Sequence, residues 1–210
     1  VLGRVPGEGP LRRDGGGPGD EIWVSGTLGA AAAGLDLVLR GYRRDRDGKV
    51  TAPRGGRVSA ARRDEIARLL RHLLDPRPMV DLGRALAEGG IASAAIDLSD
   101  GFARDLHRLC RASGTGAVVE RASLPVDSGL ATLPGLPSTP LDLALFGGED
   151  YGLLFTVPPA RLGAMKKIAA RFAVRRVGRL DATSKLVLAD AGRFSPLPDR
   201  GFDHFAKGPG

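Results

Sequence analysis

A single cysteine, Cys110, in 210 residues rules out an internal disulfide, so a reducing compartment, the cytoplasm, is the expected setting. Aromatic residues make up only 5%, which leaves few rings for stacking on nucleobases. The three histidines, His72, His107 and His204, form no serine-histidine-aspartate arrangement. His107 precedes Cys110 by three residues, but without a second cysteine helix packing explains the pair better than zinc. No apolar run approaches the roughly 18 to 20 residues that cross a bilayer. Nor does a charged segment followed by an apolar core open the chain, so neither a membrane-spanning nor an exported protein is expected. The phosphate-loop pattern ending in GK[ST] is missing as well.

What is present is enough hydrophobic material, 42%, for a real core, with 31 glycines and 15 prolines for turns. The net charge of +7 suits an anionic ligand without selecting one. Its densest basic stretch, "RGYRRDRDGKVTAPRGGR" at 40–57, lacks an apolar period and is interrupted by Asp45 and Asp47. It reads as a solvated loop, and no nucleic-acid partner is expected.

Strands are expected at 21–26, 91–97, 116–121, 151–159, 174–180 and 185–190. Helices are expected over 27–42, with Thr27 placed to cap it, over 58–76, where Ile66, Leu69, Leu70 and Leu73 form an apolar stripe, over 81–90, over 101–112 and over 160–172. A short helix is expected near 126–132, and the tail from Gly192 reads as loop. This alternation predicts an α/β (α+β) fold, a mixed sheet covered by helices.

Two acidic turns interrupt the apolar runs. In "AIDLSDGFARDL", at 95–106, Asp97 ends a strand and Asp100 precedes a helix, with Ser99 between them. Taken alone, Asp97 or Ser99 would cap the helix while Asp100 favours its positive end. The alternative is a hard cation such as Mg²⁺ between the carboxylates, its shell completed by phosphates. In "LALFGGEDYGLLFTVPP", at 143–159, Gly147 and Gly148 lead into Glu149 and Asp150, where backbone could approach a ligand closely. "LRRDGGGPGD", at 11–20, places glycines beside Arg13 but matches no nucleotide-binding fingerprint.

"AAIDLSDGFARDLHRLCRASGTGAVVERASLPV", "LFGGEDYGLLFTVP" and the terminal "GFDHFA" together resemble the C-terminal portion of the thiamine-monophosphate kinase family, related to aminoimidazole ribonucleotide synthetase. "LRRDGGGPGDEIWVSGTLGAAAAGLDLVL" resembles the segment where that family's first domain passes into its second. The resemblance implies transfer of the γ-phosphoryl group of ATP to thiamine monophosphate with Mg²⁺, in a homodimer when complete. It implies Asp97 and Asp100 as magnesium ligands, with Asp100 nearest the transferring phosphate. Ser99 and Arg13 would hold ATP, Glu149 would hydrogen-bond the thiamine moiety, and Phe202 would pack against its ring. Residues 1–26 would end an N-terminal ATP-binding domain and lead out of it, and 27–210 would form the substrate- and metal-binding domain. With further aspartates in that first domain, this polypeptide would hold half a site. The sequence departs from the family at Gly16, Gly17, Ala30 and Gly152, none of them a proposed ligand. A ligand-binding remnant without turnover is the alternative, and a basic nucleic-acid-associated protein a weaker one.

Overall fold

The run 153–157, "LLFTV", is apolar but for Thr156 and does not alternate, and its place explains why. The computed structural model describes residues 9–53, 56, 58–133 and 135–202. Its strands are β1 (Glu21–Ser25), β2 (Arg43–Arg44), β3 (Val50–Thr51), β4 (Ala94–Asp97), β5 (Gly116–Glu120), β6 (Leu153–Val157), β7 (Val174–Asp181), β8 (Leu186–Asp190) and β9 (Arg193–Pro196). Seven of them make one sheet in the order β4-β6-β1-β7-β5-β8-β9, and β2 and β3 pair separately. All neighbours in the large sheet are antiparallel except β5 and β8, so the sheet is mixed. β6 lies inside it between β4 and β1 and is covered on both faces, so Leu154, Phe155 and Val157 are buried, and the hydroxyl of its one polar residue, Thr156, is satisfied by Ala94 N–H at 3.1 Å.

The helices are α1 (Ala30–Leu39), α2 (Ala60–Leu74), α3 (Val80–Glu88), α4 (Phe102–Ser113), α5 (Pro140–Phe146) and α6 (Leu162–Ala169). On one face of the sheet, Phe102, Leu106, Leu109 and Cys110 of α4 pack with Ala144 and Leu145 of α5 against Ile22, Val24, Leu154 and Val177. On the other, Leu82 and Leu86 of α3 and Met165 and Ile168 of α6 pack on Phe155 and Val157. Leu37 of α1 and Ile66, Leu69 and Leu70 of α2 form a third cluster with Leu130 and Leu143. Gly34 permits that helix crossing, since a Cβ there would lie 2.5 Å from the Leu69 carbonyl oxygen.

Several expectations shift. The first helix starts at Ala30, after Gly29 with φ 87°, and Thr27 does not cap it: its hydroxyl donates to Asp127 at 2.9 Å. The basic stretch contains the β2-β3 hairpin, whose turn closes when Lys49 N–H donates to the Asp45 carboxylate at 2.8 Å. The expected helix near 126–132 is a 3₁₀ turn, Ser128–Ala131. α5 was not expected, although Thr139 caps it by accepting from Asp142 N–H at 3.1 Å and Pro140 occupies its first position. β9 lies in the segment read as loop; an exposed edge strand carries no apolar alternation to reveal it.

Candidate active site

β4 runs antiparallel to β6, with Asp97 opposite Leu153, so the end of one strand and the entrance of the other share one rim of the sheet. That geometry brings the two acidic turns together although some fifty residues separate them. The backbone ties them further. Leu98 N–H donates to Gly152 O at 2.9 Å, Tyr151 N–H to Leu98 O at 2.8 Å, and Glu149 N–H to Ser99 O at 2.9 Å. The approach requires glycine: a Cβ on Gly148 would lie 2.6 Å from the Ser99 carbonyl oxygen. Glu149 and Tyr151 adopt left-handed φ values of 70° and 47°, a conformation that costs a non-glycine residue about 1 kcal/mol or more.

Four side chains, three carboxylates and a phenol, converge on this rim. Asp97 is exposed at the end of β4, Asp100 is 7% exposed, and Glu149 is half-buried. Around the Tyr151 hydroxyl, the charge of Glu149 foremost, then burial and a hydrogen bond with Glu149, and then the charges of Asp97 and Asp100 push the phenol above its ordinary range. Tyr151, the fourth, was not among the expected site residues; its place directly after the acidic pair was the available signal.

The "DLSDG" turn does not cap α4 with its own side chains. Gly101 stands at the N-cap position without a side-chain bond. Instead Asp105, fully buried one turn into the helix, reaches back to accept from Ser99 N–H at 3.1 Å and Asp100 N–H at 3.0 Å. Burial pushes its carboxyl up; the Asp100 N–H and the Arg108 guanidinium oppose that shift. Arg108 donates to Asp105 at 2.9 Å and also pairs with Asp100. Asp105 was missed as well, and the clue was a carboxylate on the apolar stripe of α4, where an acid is tolerated only if partnered.

The acidic pair 149–150 splits. Asp150 turns from Glu149 towards α1 and accepts from Gly29 N–H at 2.9 Å and Ala31 N–H at 3.3 Å, supplying the cap expected from Thr27. Loss of solvent pushes its carboxyl up to about 7, the two N–H bonds opposing and the Asp127 charge adding to the rise.

Arg13 is exposed on a loop fixed along β4 and the end of α4. Ala95 N–H donates to Arg12 O at 2.8 Å, and the Ser113 hydroxyl donates to Arg13 O at 3.2 Å. Arg13, Arg108, Arg111 and Ala112 line a groove of about 370 Å³. Phe202 is exposed, but its N–H donates to Asp100 O at 2.9 Å, which returns the end of the described chain to the acidic turn. The rest of "GFDHFA", His204 included, lies outside the described residues. His107 Nε2 lies 2.8 Å from Leu197 O, and the buried Cys110 thiol is pushed up to about 12, which suits packing rather than metal binding.

No three His, Cys, Asp or Glu side chains among the described residues form a ready metal cage. Asp97 and Asp100 carry oxygen donors of the kind Mg²⁺ takes from one or two carboxylates, the remaining positions going to water and phosphate. The donor set therefore fits a hard cation as a partial shell. No helix among the described residues is long and apolar enough to cross a membrane.

Residues 17–191 match the family model of AIR synthase related protein, C-terminal domain. Thiamine-monophosphate kinase of Escherichia coli O157:H7 is 35% identical over 209 residues, covering 98% of this chain and 58% of that protein. The crystal structure of thiamine-monophosphate kinase from Stenotrophomonas maltophilia K279a superposes with a TM-score of 0.69 at 34% identity, over 85% of this chain and 52% of that one. The structure of AaThiL complexed with AMPPCP and TMP gives 0.71 at 28% identity, over 93% and 54%. The chain thus spans little more than half the length of the relatives it matches, and it is homologous to kinases of thiamine monophosphate.

Proposed function

This chain belongs to the AIR synthase related family, and from that membership we propose that it serves the ATP- and Mg²⁺-dependent phosphorylation of thiamine monophosphate to thiamine diphosphate, in the cytoplasm. The observation that carries this reading is the junction of the two acidic turns, which gathers Asp97, Asp100 and Glu149 on one rim. Asp97 and Asp100 would hold Mg²⁺, with Asp100 nearest the transferring phosphate, and the ion would neutralise charge on the phosphoryl oxygens. Ser99 and Arg13 contact ATP in this reading, and Arg13 borders a groove with Arg108, which pairs with Asp100. Glu149 accepts a hydrogen bond from the thiamine moiety, and Phe202 covers its ring. Phosphoryl transfer needs position and charge more than a covalent nucleophile, and this rim supplies both.

Calorimetric titration of the chain with thiamine monophosphate and with Mg-ATP tests the reading. Both are expected to bind, and Asp100→Asn is expected to weaken Mg-ATP about tenfold or more while leaving thiamine monophosphate within about twofold. Absence of binding by either ligand would sink it.

A further inference from the structure

Arg108 stands where the acidic turn meets the arginine groove. It follows Asp105 by one helical turn of α4, so the two side chains lie on the same face. One guanidinium nitrogen donates to Asp105 at 2.9 Å and also pairs with Asp100. Asp105 has two further backbone donors and is sealed in the core. Arg108 is different: its side chain is 37% exposed, and it also lines the groove with Arg13 and Arg111. A cation on Asp100 would repel the guanidinium, and the groove offers it an immediate alternative place.

We propose that Arg108 is a placeholder for the divalent cation: it neutralises Asp100 while no metal is bound, and on metal binding it turns into the groove to meet phosphate oxygens beside Arg13. This rests on the reading of Asp100 as a cation ligand. It makes Arg108 a positioning residue, and it distinguishes Arg108 from a simple structural tie to Asp105. Such a tie would only weaken metal binding when cut, because the turn would loosen. A placeholder competes with the metal, so its removal must tighten binding.

The test is Mn²⁺ affinity of the 210-residue chain, read by electron paramagnetic resonance, in the unsubstituted protein, R108Q and R111Q. R108Q is expected to bind Mn²⁺ about fivefold more tightly and Mg-ATP several-fold more weakly, as suits removal of a half-exposed ion pair. R111Q removes an equal charge from the same groove, but its partner is Asp199, and it is expected to stay within about twofold of the unsubstituted chain for Mn²⁺. Equal or weaker Mn²⁺ binding by R108Q, with binding intact in the unsubstituted chain, overturns the placeholder and leaves the kinase reading standing. Failure of every chain to bind Mn²⁺ removes Asp100 as a cation ligand and the placeholder with it. In the unsubstituted protein, where folding is not in question, Mg²⁺ must also shift the Arg108 Nε–H resonance more than that of Arg111. An unmoved Arg108 signal under saturating Mg²⁺ overturns the proposal too.

Discussion

Asp105 and Asp150 are carboxyl side chains whose partners include backbone N–H groups, and between them they fix both sides of the site. Removing Asp105 leaves Ser99 N–H and Asp100 N–H without that acceptor in a buried turn. Asp105→Ala is therefore expected to cost about 2–4 kcal/mol in urea unfolding, and Asp105→Asn, which keeps an oxygen, about half that. Asp150 acts through protonation. Its folded pKa of about 7 stands above the ordinary 3.8, so the folded state holds a proton that the unfolded state has released across that window. The stabilisation is full below about pH 4 and is lost as pH rises through 7. The stability difference between the unsubstituted chain and Asp150→Asn should therefore move in favour of the substituted chain between pH 5 and pH 8, measured by urea unfolding at both. A difference that stays constant with pH would show that burial does not perturb this carboxyl. Asp97, Ser99, Asp100 and Glu149 stood out in the sequence because they interrupt apolar runs at strand ends. Asp105 and Arg108 did not: Asp105 falls on the apolar stripe of α4, but no local pattern records that its partners are Ser99 N–H, Asp100 N–H and Arg108.

Between elements, the site depends on how closely the end of β4 approaches the turn entering β6. The close contact is Gly148 against Ser99 O, where a Cβ would intrude to 2.6 Å on backbone, not on a side chain that could move aside. Gly148→Ala is accordingly expected to destabilise the chain by about 1–3 kcal/mol. Its amide spectrum should change most over residues 98–101 and 149–151; unchanged resonances there would mean that the turns tolerate separation. Helices with a long apolar stripe, α2 and α4, were legible because burial repeats every turn. α5 has only seven residues and β9 only four, all exposed in β9, too few to set a period. The start of α1 was misplaced for a related reason: its cap comes from Asp150, far along the chain, and no local pattern records a partner of that kind.

For the molecule as a whole, the mixed sheet follows from alternating strands and helices, but its order does not. The sequence shows where strands lie, while the β4-β6-β1 adjacency that unites the two acidic turns appears only in the folded sheet, whose faces α3, α4 and α6 cover. That adjacency makes a site in which carboxylates lie on one rim and arginines in a groove behind it. Two carboxylates cannot fill the six positions of an octahedral cation, and phosphates held only from this side remain open to water. The 210 residues alone are therefore expected to bind Mg-ATP without steady turnover. Addition of the N-terminal domain of a thiamine-monophosphate kinase relative should start ADP release that depends on thiamine monophosphate, and Asp100→Asn should reduce that rate by about a hundredfold or more. A coupled ADP assay on the chain, with and without the added domain, decides the point: thiamine-monophosphate-dependent ADP release at equal rates in both would show that this rim alone excludes water and completes the metal shell.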